Sequence, residues 1–446
     1  MTSTKFLLIA LIIFAFAFPV SANTPAFGDT AAQIAQVTEL DVNGIKVLIK
    51  RRPSAPTVAV GLFIKGGSRN ITDKNAGIEN LMLASAVEAG KKFNQQTVRR
   101  ELSSTGSGIG SAVSRDYSVI SMATTRPNFD KVWSILTDVS INPTFDPADI
   151  ERRRNLILTG LRESESNPEG ALETALDRTI YTGHPYANDV NGTAAIIQGL
   201  TVNDLRAHHQ KIMQTSRLLL ILVGDLDPED IKARVAASFG KLPRGDFKDD
   251  AYPSLDFSKP TLNTVARANL PTSYAQGVFS APNLGSPDYY AMRVAMAILQ
   301  SLVYLEVRER RQLSYAPGAD LNNLQTNTGN ISVSSTDVNE SVKVMLEQIR
   351  RLQTMTYPDE FIDYVAGNFL TTYYLGQETS AAQVGELARY EITGGGWRNY
   401  YKFLDGIRQV KSAEVKAVSN KYMKNLRFVV VGNPAQIDKT IFTGSN

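Results

Sequence analysis

The stretch Ser216–Asp225 reads SRLLLILVGD, and Asn425–Asn433 reads NLRFVVVGN. Each is an apolar run with the length of a buried strand, closed by a glycine. The two glycines, Gly224 and Gly432, stand 208 residues apart. Working outward, the same spacing returns. Lys211-Ile212-Met213 is answered by Lys421-Tyr422-Met423 at an offset of 210. Ile120-Ser121-Met122, with a helical stretch at Asn128–Leu136, is answered by Ile331-Ser332-Val333, with a helical stretch at Asn339–Ile349. That offset is 211. Near the start of each half, Val58–Ile64 and Tyr274–Phe279 alternate as strands do. The chain therefore reads as one unit written twice.

Between the copies lies GKLPRGDFKDDAYPSLD, Gly240–Asp256, polar and with two prolines. This divides the chain into 26–240, a linker at 241–256, and 257–446, two similar domains of roughly 200 residues. Strands arrive in neighbouring pairs and helices in runs. The expected class is α+β, each domain a largely antiparallel sheet flanked by helices.

Composition narrows the function. The chain has 446 residues, 43% hydrophobic and 20% charged, as in a soluble globular protein. Lys+Arg 47 against Asp+Glu 44 leaves a net charge of +3, too little to drive nucleic-acid binding. There is no cysteine, which removes thiolate catalysis, disulfides and Cys-ligated metal. The histidines are His184, His208 and His209.

The N-terminus reads as an export leader. Lys5 precedes the apolar run Phe6–Val20, and Val20-Ser21-Ala22 supplies the small residues of a cleavage site. The run is 15 residues long, short of the ~20 that a spanning helix needs. Residues 1–22 are thus expected to be removed after Ala22, leaving a periplasmic or secreted protein without stable membrane insertion.

Asp73–Phe93 (DKNAGIENLMLASAVEAGKKF) shows a helical pattern at Ile78, Leu81 and Met82, with Asp73 as a candidate N-cap. It follows the Val58–Ile64 strand and a Gly66-Gly67-Ser68-Arg69 turn. Downstream come Gly106–Ala112, Arg115-Asp116 and Gly183-His184-Pro185-Tyr186. In this order, and with Leu40–Gly44 ahead of them, these segments resemble the insulinase/pitrilysin (inverted-zincin) metallopeptidase family. In that family the first helix carries H-x-x-E-H, two zinc-binding histidines one turn apart around a general-base Glu; a distant Glu completes the site. Aligned on Gly77-Ile78, the resemblance puts Asn80 and Ala84 at the histidines and Leu83 at the base. Gly160, within Arg154–Arg162, falls at the distant Glu. Leucine, alanine and glycine have no lone pair for a metal, and asparagine alone is a weak zinc ligand. The expectation is that this chain binds no metal.

Other residues do not make up the loss. Glu79, Glu88, Glu163 and Glu165 read as solvent-facing helix charge. His208 and His209 are adjacent on a helix and point about 100° apart, so they do not chelate as an i, i+4 pair. His184 reads as a structural hydrogen-bonding group. The run Gly106, Gly108, Gly110 fails as a nucleotide loop, because Ser111 stands at the third glycine position and a strand follows. In the family this region leads to an edge strand that receives extended substrate, which implies substrate contacts at Ser111 and Ala112.

Leu305–Asp320 (LEVRERRQLSYAPGAD) resembles the family's second-domain pattern R-E-x-x-x-L-x-Y, with Arg308, Glu309, Leu313 and Tyr315 in register. There the Arg anchors substrate and the Tyr donates to the oxyanion at the zinc centre. The resemblance implies a non-catalytic subunit of an exported heterodimeric zinc metalloendopeptidase. Such a subunit would lend Arg308 and Tyr315 to a homologous partner that carries H-x-x-E-H and the zinc, and unfolded peptides would be the substrates. The alternative is a catalytically inert peptide-binding or structural scaffold. N-terminal sequencing of the exported protein is expected to begin Asn23-Thr24-Pro25; a chain still starting at Met1 would refute the leader.

Overall fold

The computed structural model describes residues 30–444; the export leader expected at 1–22 lies outside them. The first sheet contains β1 (Val37–Val42), β2 (Ile45–Arg51), β3 (Thr57–Lys65), β4 (Gly108–Val113), β5 (Tyr117–Thr125) and β6 (Leu218–Gly224). Their spatial order is β1-β2-β6-β3-β5-β4. The second contains β7 (Thr261–Ala266), β8 (Ser273–Ser280), β9 (Gly318–Leu321), β10 (Thr328–Ser335) and β11 (Arg427–Gly432), in the order β7-β11-β8-β10-β9. Setting β1 aside, the two orders are the same, position for position. β2 runs parallel to β6 and β7 parallel to β11, while the other pairings are antiparallel. The duplicated, largely antiparallel α+β architecture expected from the repeat is what the chain adopts.

The apolar runs that betrayed the repeat are the strands β6 and β11. Every residue of β6 is buried, and such continuous runs belong to strands covered on both faces. Side chains alternate between the faces. Leu218, Leu220 and Leu222 join a cluster with Leu81, Met82, Leu136 and Leu205, from helices of the same half. Leu219, Ile221 and Val223 join Val384, Leu387 and Ala388, from the Ser380–Thr393 helix of the other half. The second sheet mirrors this. Phe428 and Val430 of β11 face helices of their own half, whereas Val429 and Val431 meet Leu172, Leu176 and Ile180 of the Pro168–Ile180 helix. Each sheet thus borrows one helix from the other half. Fully burying each such aliphatic side chain contributes roughly 1.5–3 kcal/mol.

The seam is also polar. Lys46 of β2 bonds Glu391 at 2.6 Å. Trp397 Nε1 donates to Glu39 of β1 at 2.9 Å. The amide of Gln325 donates to Asp116 at 3.1 Å. Residues 241–256 lie along this seam as a strap. Tyr252 stacks under Arg69 at 4.1 Å and donates to the carbonyls of Gly66 and Arg115. The Pro253 carbonyl lies 3.0 Å from His184 Nε2.

One boundary differs from the sequence reading. The first long helix spans Ile78–Ala86 and is entered through Gly77 at φ 84, not capped by Asp73. Asn75 Oδ1 accepts from the Thr72 amide and closes a separate turn ahead of it. A Cβ at Gly77 would come within 2.6 Å of Ile197 Cδ1, so the turn demands glycine there.

Truncating Leu387, which is fully buried against the first sheet, is expected to cost about 2–5 kcal/mol. Urea unfolding of Leu387→Ala should remain one transition for the whole chain with an unchanged slope. Separate melting of the two halves would contradict reciprocal cover.

Candidate functional site

The Ile78–Ala86 helix packs against the Pro147–Ser166 helix. Asn80 and Ala84 sit one turn apart and half-exposed. Leu83 is fully buried among the apolar side chains beneath. Gly160 is exposed on the neighbouring helix, with open space where a side chain would be. At the positions aligned with the family's zinc ligands and base, the structure thus offers one amide and no carboxylate or imidazole. These residues do not fit a zinc ion. Among the described residues, no group of three or more His, Asp or Glu side chains gathers as a metal site.

Two acids read as solvent-facing are buried instead. Glu79 is 2% exposed; His208 Nε2 lies 3.2 Å from its Oε2, and Asn70 Nδ2 donates to the same oxygen at 3.2 Å. Arg217 bonds Asn70 from behind. Glu88 is 6% exposed and held by Arg99, Arg152 and Arg153. Burial alone would raise its carboxyl, but Arg153 and Arg152 hold it below the usual range. The nine-residue Ile78–Ala86 helix is enclosed by neighbours and has little solvent face, which is why its one acid, Glu79, turns inward; Glu88 follows the helix and is drawn in by the arginines. Glu163 and Glu165 are exposed, as read. His209 Nε2 lies 2.8 Å from the Ser140 carbonyl, and burial lowers the imidazole's pKa. His184 is structural: its Nδ1 accepts from the Tyr186 amide.

In the second half, the Tyr289–Val303 helix runs into a π-helical turn at Tyr304–Arg310. Such turns re-aim side chains and are frequent at functional sites. Gln312 then adopts φ 54 and folds the chain back. Arg308 Nη1 donates to the Tyr315 carbonyl at 3.0 Å. Its guanidinium lies 4.2 Å over the Tyr315 ring and 5.0 Å over Tyr304. Tyr315 is 79% exposed. A cation and a phenol are therefore held together and presented outward. Glu306, buried and bonded to Arg310 at 2.7 Å, anchors the turn beneath them.

Ser111 and Ala112 lie on β4, the terminal strand of the first sheet, opposite Ile120 and Val119. β4 pairs with β5 alone, so no strand of this sheet lies on its outer side.

Two family models match the chain: "Insulinase (Peptidase family M16)" over residues 46–194 and "Peptidase M16 inactive domain" over 199–366. The chain belongs to the M16 peptidase family. Bovine cytochrome b-c1 complex subunit 1 is 26% identical over 59% of this M16 chain and 55% of its own length. The alignment thus spans about half of that relative. The mitochondrial-processing peptidase subunit beta of Blastocladiella emersonii is 25% identical over 60% of this chain and 57% of its own. An uncharacterized zinc protease of Mycobacterium tuberculosis is 22% identical over 88% and 91%. Among solved structures, a Helicobacter pylori protease superposes with a TM-score of 0.81 at 16% identity, covering 89% of this chain and 99% of its own. A peptidase M16 inactive domain from Pseudomonas fluorescens also gives 0.81, at 21% identity, covering 89% and 98%.

A cleft of about 490 Å³ separates the borrowed Pro168–Ile180 helix of this M16 chain from β8 and β10. Sequence reading missed it, because its walls are distant in sequence. Asp177 lines it and bonds Arg115 at 2.5 Å. Burial pushes the Asp177 carboxyl up to about 6 despite that arginine, with Asp189 and Glu173 adding repulsion. A carboxyl raised on folding favours the fold most when protonated. Its contribution is full below the unfolded pKa near 4 and is lost as pH rises through about 6. Wild-type stability relative to Asp177→Asn should therefore fall between pH 4 and pH 7 in urea titrations. A pH-independent difference would contradict the burial of this group.

Proposed function

We propose that this chain is the zinc-less subunit of an exported heterodimeric metalloendopeptidase. Its partner would be a homologous M16 chain with H-x-x-E-H intact. One contrast carries the reading: the four positions aligned with the zinc machinery hold Asn80, Leu83, Ala84 and Gly160, while a half-buried Arg308 stands paired with an exposed Tyr315. In the assembled enzyme the partner supplies zinc and general base. Tyr315 donates to the oxyanion of the tetrahedral intermediate, and Arg308 holds a substrate carbonyl. An extended peptide adds to the open edge of β4 beside Ser111 and Ala112. The export leader read at residues 1–22 supports a periplasmic or secreted location for the assembly.

A scaffold role is the second reading. It is favoured by the similarity to a subunit named for the cytochrome b-c1 complex. Pull-down from the native host separates the two: recovery of an H-x-x-E-H chain supports the peptidase, and its absence supports the scaffold.

Peptide hydrolysis should require both chains. Tyr315→Phe should lower kcat of the pair by about 10²–10³, the usual cost of one oxyanion donor, and leave the thermal melt of this chain unchanged. Full turnover by the variant pair would remove Tyr315 from the mechanism.

A further inference from the structure

The Tyr289–Val303, Asp359–Leu375 and Ser380–Thr393 helices meet around a cavity of about 90 Å³. Its walls are aromatic: Phe369, Tyr373, Tyr390 and Phe403 line it, and all four are buried. Three charges stand in this apolar setting. Arg389 and Glu386 pair with each other across one turn of their helix. Arg293 has no such partner. Its half-buried guanidinium lies 5.3 Å over the Phe369 ring and makes no hydrogen bond or ion pair with any described residue. Two arginines against one glutamate leave the lining one positive charge in excess. Tyr400 adds a second unsatisfied group. It is 4% exposed, and its buried hydroxyl has no hydrogen-bond partner. That oxygen lies beside the lining residue Gly376, where a Cβ would stand 3.7 Å from it. Burial pushes the Tyr390 and Tyr400 phenols up, so both stay neutral and neither cancels the excess charge.

We propose that this cavity binds a short-chain monocarboxylate of the size of acetate or propionate. The carboxylate pairs with Arg293 and accepts from the Tyr400 hydroxyl, and the carbon chain packs against Phe369 and Phe403. A guanidinium partly withdrawn from water gains most from an anion that shares its setting. The rings meanwhile take the methyl end out of water. A cavity of this size holds roughly three waters at about 30 Å³ each, or one acid of about four or five non-hydrogen atoms. The proposal does not depend on the peptidase reading.

Saturation-transfer NMR of propionate with the purified chain tests the site. The transferred signal should saturate as propionate is added. Propionamide has the same shape without the charge, and propylammonium has the opposite charge; each should bind at least about tenfold more weakly. Arg293→Met should weaken propionate at least about tenfold as well. Thr372 is exposed at the mouth of the cavity. Thr372→Trp keeps Arg293 in place and should weaken propionate to a similar extent by closing the entrance, with the thermal melt unchanged. It decides the matter even where Arg293→Met fails to fold. Any of three results overturns the site: no saturable propionate signal, an amide or ammonium that binds as well as the acid, or unchanged propionate affinity in either folded variant.

Discussion

Two sheets, each needing cover on both faces, are the constraint around which this chain is built. β6 and β11 are apolar at almost every position, so neither tolerates a wet face. Each half supplies helices for one face of its own sheet and a single helix for the far face of the other. The Pro168–Ile180 helix covers β11, and the Ser380–Thr393 helix covers β3 and β6. The exchange places a 490 Å³ cleft between the halves. It also packs Tyr252 and His184 into the seam, where their rings stack at 5.7 Å.

Beneath the positions aligned with the family's zinc ligands, the helix is secured by protein contacts. Leu83 is driven into the apolar core, and Glu79 is tied to His208 and Asn70. A buried carboxylate is costly unless its partners are close and well aimed. Here they come from two other segments, so the acid cross-links three pieces of the first half. The Arg308–Tyr315 pair is the opposite case. They are held by one short loop-back, in which the half-buried Arg308 braces the Tyr315 carbonyl and the Tyr315 ring stands exposed.

β6 and β11 were legible because a strand covered on both faces must be apolar throughout, and the repeat displayed that run twice; the order of the strands in each sheet was not. Arg308 and Tyr315 were legible as a pair only through the resemblance of Leu305–Asp320 to the family's R-E-x-x-x-L-x-Y pattern. The exchange of helices was not. NPEGALETALDRTIY reads as an ordinary amphipathic helix, and no local pattern says which sheet its apolar face will find. The inward turn of Glu79 was hidden for the same reason, since His208 lies 129 residues away. The three consecutive arginines Arg152–Arg154 were the available hint that Glu88 had a buried role.

Two sheets that each borrow a helix from the other cannot swing apart by bending at residues 241–256. Such a hinge motion would strip Leu172 and Leu176 from one sheet and Val384 and Leu387 from the other in a single step. The chain moves as one shell.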